Sequence, residues 1–118
     1  MLLFIANPYC YWNLFATVSK NGEEFEVDVL IEYENKVFMI EVRSNPDQQY
    51  VDEIIKKASK LLEFFPEYKD KELIPIYASL VFEDNVTKYA SKKGLYLMAY
   101  REWEYMDIIN FDKVKRDI

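Results

Sequence analysis

The sequence contains no histidine, and this absence removes several classes of active site at once. Zinc sites of the usual His/Cys type and catalysis by Ser-His-Asp or Cys-His groups all need an imidazole or several thiols. The single cysteine, Cys10, excludes an internal disulfide and favours a cytoplasmic protein. Any catalysis must therefore use carboxylates, Lys, Arg or hydroxyl groups, with a hard cation such as magnesium if a metal takes part.

The chain is also poor in glycine and proline, and it has no excess of positive charge. Its two glycines and four prolines indicate long secondary-structure elements joined by short turns. The formal net charge of −6 disfavours a broad, non-specific nucleic-acid surface, although it leaves room for a local basic patch. With 118 residues, of which 51% are apolar and 31% charged, the sequence predicts one soluble globular domain.

Residues 1–18 form a strongly apolar stretch, but several features disfavour a membrane span. Asn7, Pro8 and Asn13 interrupt the stretch, and no Lys or Arg precedes it. We expect instead a segment that is buried in the fold or in a dimer interface. Aromatic residues also cluster near both ends of the chain, which is typical of a protein interface and predicts a homodimer; these residues are Tyr9, Tyr11, Trp12, Trp103 and Tyr105.

Alternating apolar residues predict that the chain opens as an antiparallel meander of three strands. The strands cover residues 12–18, 24–32 and 36–43, and Asn21-Gly22 is a strong hairpin turn between the first two. Apolar residues at helical spacing then predict a helix that starts near Pro46 and ends at Pro66.

The second half of the chain alternates between strand and helix patterns. Residues 73–82 are nearly all apolar and predict a strand that is covered on both faces. A helix over 85–93 and a strand over 95–100 follow, so the predicted order is β-β-β-α-β-α-β. This order predicts an α/β fold with a central mixed sheet flanked by helices and a right-handed crossover. For residues 101–118 we predict a helix and a charged tail, with a strand through Tyr105 and Ile108 as the alternative.

Acidic residues stand among the apolar residues of the second and third strands. Alternation places Glu26 and Asp28 on one face of the second strand, and Glu41 and Arg43 on one face of the third. Pairing these strands as a hairpin would bring two or three carboxylates together beside a cation. Grouped carboxylates repel each other, and the usual compensating partner is a divalent metal ion.

This arrangement resembles the PD-(D/E)XK, or restriction-endonuclease-like, nuclease superfamily. The motif of that family is an acidic residue at a strand end, followed on an apolar strand by Glu/Asp-x-Lys. The matching positions are Asp28 and Glu41-Val42-Arg43, and the resemblance covers about residues 12–100 of a single nuclease-like domain over residues 1–118, with 101–118 as a C-terminal extension.

The resemblance implies a DNA endonuclease that depends on magnesium or manganese. It implies that Asp28, Glu41 and the carbonyl oxygen of Val42 hold the metal, and that Asp28, Glu41 and Arg43 are the catalytic residues. Arg43 departs from the family pattern because it replaces the motif lysine. An arginine does not give up its proton at neutral pH, yet it can hold a phosphate oxygen. We therefore expect cleavage activity that is weakened or lost.

Other interpretations of the same residues stay open at this point. The acidic pair and Arg43 could form a cross-strand salt bridge without metal, and Glu26 could be either a third ligand or a solvated acid. Lys57, at the edge of the helical apolar stripe, could reach over the sheet to Glu41 and bind substrate, or simply extend into solvent. Gln48 could orient substrate or be solvated. The alternative function is a non-catalytic interaction or dimerisation module that retains the nuclease fold.

Overall fold

A computed structural model describes residues 10–101 and 105–114, with side chains over 17–100 and 105–114. The described backbone forms a six-stranded mixed sheet with two α-helices and one short 3-10 turn, Pro66–Tyr68. Along the chain the elements are β1 (Cys10–Lys20), β2 (Glu23–Tyr33), β3 (Lys36–Val42), α1 (Gln48–Phe64), β4 (Glu72–Ala78), α2 (Asp84–Lys92), β5 (Tyr96–Arg101) and β6 (Tyr105–Ile108).

Two tight turns fold β1, β2 and β3 into the predicted antiparallel meander. Asn21 and Gly22 have φ angles of 53° and 81°, the left-handed conformation that a two-residue type I′ hairpin turn requires. The second turn places Glu34 at a φ of 55°, which is uncommon for a residue with a side chain. Both turns hold the strands in a defined register, which decides the residues that lie opposite each other at the far end of the meander.

The middle of the sheet is parallel because a helix crosses over after β3 and again after β4. The strand order follows the sequence, β3 pairs with β4 and β4 with β5 in parallel, and β5 pairs with β6 in antiparallel fashion. Helix α1 begins after Asp47, whose Oδ1 accepts a hydrogen bond of 2.9 Å from the Tyr50 N–H. It stops just before Pro66, which cannot continue a helix.

The two helices pack on the same face of the sheet. Val51 and Leu61 of α1 and Ala90 of α2 are fully buried there against strand residues; the strand side of this core includes Val27, Leu30, Met39, Tyr77 and Leu97. The other face carries a second apolar cluster, built around Ile31, Ile40, Ile74 and Ile76. Both faces of β4 therefore meet apolar side chains, as the uniformly apolar sequence of that strand predicts.

The order of elements differs from the predicted one at the C-terminal end. Residues 105–108 form strand β6, and this finding overturns the predicted helix in favour of the alternative strand. The pairing of Tyr100 with Met106 and of Met98 with Ile108 lets β6 extend the second apolar cluster. Strand β6 is therefore stabilised by tertiary packing, which a short local sequence pattern does not reveal.

Strand β4 is also shorter than predicted, since it ends at Ala78 and not at Phe82. Val42, the last residue of β3, lies opposite Ala78, so β3 and β4 end at the same level of the sheet. Of the predicted interface aromatics, Tyr9, Trp103 and the side chains of Tyr11 and Trp12 lie outside the described residues, whereas Tyr105 is 52% exposed. Neither described helix has the length and apolarity that a membrane crossing would need.

Candidate functional site

The structure brings Asp28 and Glu41 together where β2 and β3 part. Val29 lies opposite Ile40 in the antiparallel register, so the next residues along, Asp28 and Glu41, are neighbours. The Asp28 N–H donates a hydrogen bond of 2.9 Å to Glu41 Oε2. In turn, the Val42 N–H donates one of 2.9 Å to Asp28 Oδ2. Each carboxylate is therefore held by the backbone of the other strand.

The alternation of β2 changes phase at Asp28. Phe25 and Val27 point into the core beneath the helices, and so does Leu30, although an even spacing would place Leu30 on the opposite face. The shift turns Asp28 toward the end of β3 and separates it from Glu26. Glu26 is exposed and takes no part in the site's hydrogen bonds within the described chain, so the structure does not unite it with the acidic pair.

Arg43 forms the solvent-facing half of the site. Its Nη1 donates to Asp28 Oδ2 at 3.0 Å and to the carbonyl oxygen of Val42 at 2.7 Å. The guanidinium carbon also lies 5.3 Å from the ring centroid of Tyr50, a cation–π arrangement. Burial tends to lower the pKa of Arg43, but the negative charges of Asp28 and Glu41 outweigh it and raise the pKa above its usual value.

Lys57 forms the buried half of the site. This residue reaches from α1 across the sheet, and its Nζ donates to Glu41 Oε1. Glu41 is only 1% exposed, whereas the Lys57 side chain remains 26% exposed. Of the two interpretations of Lys57, the structure supports the one in which it contacts Glu41. Gln48, the first residue of α1, is exposed and forms none of these hydrogen bonds in the part of the chain that the structure describes.

The donor atoms of the expected metal site suit magnesium in type, yet internal cations already contact them. Two carboxylates and one carbonyl are hard oxygen ligands, and Mg²⁺ often takes one or two carboxylates and keeps several waters. Both oxygens of Glu41, Oδ2 of Asp28 and the Val42 carbonyl each accept a hydrogen bond. Among the side chains that the structure describes, over 17–100 and 105–114, no group of three or more His, Cys, Asp or Glu could hold a metal ion. A metal would therefore rely on this pair and displace Arg43 and Lys57.

Two hydroxyl groups near the site were not anticipated from the sequence. Tyr77 lies directly opposite Glu41 in the parallel register and is fully buried. Its hydroxyl, like Oγ of the buried Ser79, has no hydrogen-bond partner among the described atoms. The carboxyl ends of parallel strands share one edge of a sheet, where ligands often bind. Applied to the sequence, that rule could have identified Tyr77 and Ser79 as candidate site residues, because both lie at the end of β4.

The surroundings of Tyr77 keep its hydroxyl protonated. Burial raises the pKa of Tyr77 to about 12, and the backbone of Asp47 and the charge of Arg43 act in the opposite direction. The hydroxyl forms no hydrogen bond with the Asp47 backbone or with any other described atom. The ring of Tyr77 meets Tyr50 edge-on at 6.4 Å between centroids, and Tyr50 in turn contacts Arg43.

Comparisons with known proteins leave the family of this chain open. No family model matches the chain, and no curated protein matches it in sequence. Among solved structures, the chain is similar to the small subunit of the heterodimeric restriction endonuclease R.BspD6I, with a TM-score of 0.49 and 14% sequence identity. The alignment covers 79% of this chain and 55% of that subunit, so the chain spans about half the length of the subunit. A likeness of this strength carries no functional argument.

Proposed function

We propose that this chain is a PD-(D/E)XK nuclease-like protein that binds magnesium or manganese at Asp28 and Glu41 and acts on the phosphodiester bonds of DNA. The observation that supports the proposal is the hydrogen bond from the Asp28 N–H to Glu41 Oε2, which joins the two motif acids where their strands part. The Glu-x-Arg variant of the motif predicts slow cleavage. DNA as the substrate is part of the proposal, because it rests on the family resemblance.

In this proposal each residue has a separate task. Asp28, Glu41 and the Val42 carbonyl would hold the metal, which supplies an activated water and stabilises charge on the phosphate. Arg43 binds a non-bridging phosphate oxygen, for which its planar guanidinium is suited. Lys57 orients Glu41 through its contact with Oε1. Gln48, at the start of α1, contacts the substrate. Arg43, which replaces the motif lysine, is not a ready proton acceptor, which is why we expect slow turnover.

Two measurements test the proposal with the full chain. At concentrations high enough to compete with Arg43 and Lys57 for the acids, manganese should raise the melting temperature of the wild type, because a ligand that binds only the folded state stabilises it. The Asp28→Asn variant should lose that rise, whereas the matched control Glu26→Gln, exposed on the same strand, should keep it. In a plasmid-nicking assay with manganese, Arg43→Lys should cut faster than the wild type. Absence of both a metal response and nicking in wild type and Arg43→Lys would contradict the proposal.

A second candidate function is a non-catalytic, self-associating module that retains the nuclease fold. It is favoured by the fact that Arg43 and Lys57 already neutralise both motif acids. Exposed large apolar side chains, at 56%, 66% and 70% for Leu80, Val81 and Phe111, would serve a homodimer interface. Light scattering after gel filtration distinguishes the two cases. A wild-type dimer that Val81→Glu converts to a monomer, without any metal response, would support the second function.

A further inference from the structure

The internal cations occupy the places where a metal would meet its ligands. A single atom, Arg43 Nη1, lies 3.0 Å from Asp28 Oδ2 and 2.7 Å from the Val42 carbonyl oxygen. These are two of the three expected metal ligands. The third, Glu41, receives the ammonium group of Lys57 on Oε1. The four charged groups sum to zero, so the acidic pair is neutral as a unit and attracts no further cation strongly.

We propose that Arg43 and Lys57 are built-in counter-cations, and that a divalent metal enters this site together with a phosphodiester that draws them off the acids. This inference rests on the proposed function and adds that the metal and the phosphodiester bind cooperatively. Metal and phosphodiester each raise the affinity for the other, and the two enhancements are equal because the coupling between two binding sites is reciprocal. Either ligand alone binds weakly.

The side chains that must move are able to do so. Arg43 and Lys57 are long and 35% and 26% exposed, so each can leave its acid without unfolding of a strand or helix. A phosphate offers Arg43 two acceptor oxygens in a geometry that matches its two nitrogen donors. The carboxylates would then be left uncompensated close to each other, which is the condition under which a divalent ion binds well.

An independent observation points to a ligand on the same side of the site. The fully buried Tyr77 carries an unpartnered hydroxyl, as far as the described atoms show, and it lies near enough to Arg43 to feel its charge. Ser79, with a second such hydroxyl, follows Ala78, whose carbonyl accepts a hydrogen bond of 3.1 Å from the Arg43 N–H. Buried hydroxyls normally have partners, so a phosphate oxygen or a water that accompanies it would complete this region.

Isothermal titration with manganese tests the inference, with and without a short phosphorothioate DNA duplex that resists cleavage. For the wild type we expect at least tenfold tighter manganese binding when the duplex is present. Lys57→Gln should bind manganese at least tenfold more tightly than the wild type without DNA, and the gain from added duplex should shrink. Lys56→Gln is the matched control, since it removes an exposed cation from the adjacent position of α1 and should behave like the wild type.

The remaining outcomes separate this inference from the proposed function. If manganese binds the wild type tightly without DNA, and neither the duplex nor Lys57→Gln changes the affinity, the coupling is refuted while the nuclease proposal stands. If no variant binds manganese with or without DNA, the nuclease proposal fails and the coupling with it. Should Lys57→Gln not fold, as judged by circular dichroism, Arg43→Gln provides the same comparison without DNA. Its affinity for manganese must then exceed that of the wild type.

Discussion

Two buried polar side chains, Glu41 and Asn110, lie close to one row across the sheet but are held in different ways. The register links Glu41 on β3 to Tyr77 on β4, and Tyr77 to Leu97 on β5. Asn110 follows β6 and is fully buried beside Leu97. Its Oδ1 accepts a hydrogen bond of 2.8 Å from the Leu97 N–H. Its amide group donates to the Leu95 carbonyl at 3.0 Å and to Ser91 Oγ at 3.1 Å.

The difference shows how a structural polar group is distinguished from a candidate functional one. The amide of Asn110 carries no charge, and its partners are two backbone groups and one short, buried side chain, none of which can easily leave. Glu41 is charged, and its main partner is a long lysine that reaches solvent. Tyr77, opposite Glu41 in the register, carries a buried hydroxyl without a partner among the described atoms, and so does Ser79. Pairing by immobile partners alone is typical of a scaffold, whereas a mobile charged partner close to a buried hydroxyl without a partner leaves room for a ligand.

The largest predicted effect tests the structural half of this comparison. Asn110→Ala removes three hydrogen bonds and leaves two backbone groups buried without partners, so we expect a loss of about 3 kcal/mol in the free energy of unfolding. Urea unfolding measures the loss. The control is Asn85→Ala, an exposed asparagine in α2, which should change stability by less than about 0.5 kcal/mol. A loss below about 1 kcal/mol for Asn110→Ala would mean that the hydrogen bonds of Asn110 contribute little to the stability of the fold.

An intermediate effect is predicted at Tyr77, where the removal of a polar atom should stabilise the protein. Tyr77→Phe deletes a buried hydroxyl with no partner in the described chain, so at pH 7 we expect a gain of about 1 kcal/mol, or roughly 4 °C in melting temperature. A loss of stability would show instead that a bound water or other group satisfies the hydroxyl. Tyr68→Phe is a useful control, because that buried tyrosine lies at the other end of α1.

The Tyr77→Phe variant also tests how the stability of the protein depends on pH. The folded-state pKa of Tyr77 is raised to about 12, above the ordinary value of 10.0, so the folded protein keeps a proton that the unfolded chain loses between these values. Stability from this group is therefore complete below pH 10 and is lost as pH rises toward 12. The stability advantage of Tyr77→Phe should widen across this interval by on the order of 2 kcal/mol. An advantage that stays constant up to pH 12 would contradict the assigned pKa.

The smallest effect is predicted for the solvent-facing ion pair. The side chains of Asp28 and Arg43 are 21% and 35% exposed, so water screens their attraction. A double-mutant cycle with Asp28→Asn and Arg43→Gln should give a coupling energy below about 1 kcal/mol. A coupling above about 2 kcal/mol would indicate that the pair serves mainly to stabilise the fold, and it would weaken the case for a site that opens.

Much of the fold was predictable because its signals are local. The Asn21-Gly22 turn, the apolar alternation of the meander and the helical spacing before Pro66 each act over a few residues, and the structure shows each element. The proximity of Asp28 and Glu41 followed from two short turns and the period of a strand. Lys57 could be anticipated as a residue able to reach Glu41, although the sequence alone did not decide that it does.

What escaped prediction depends on contacts between distant parts of the chain. Tyr77 stands in an apolar strand, and no nearby residue indicates that its hydroxyl lacks a partner. The phase change at Asp28 could not be read from alternation, since it separates Glu26 from the site against that pattern. Strand β6 and the network of Asn110 exist only because β5 offers an edge, and that edge is formed by pairing across the whole sheet.

The arginine at position 43 has a consequence for how the site responds to its surroundings. A guanidinium stays protonated throughout the physiological range, and the neighbouring acids strengthen that tendency. A change of pH within that range would therefore leave Arg43 charged and able to contact Asp28. Under the proposed function, a divalent cation that competes for Asp28, or a phosphate that competes for the Arg43 nitrogen atoms, would separate the pair, so the site would respond to ionic composition and not to acidity.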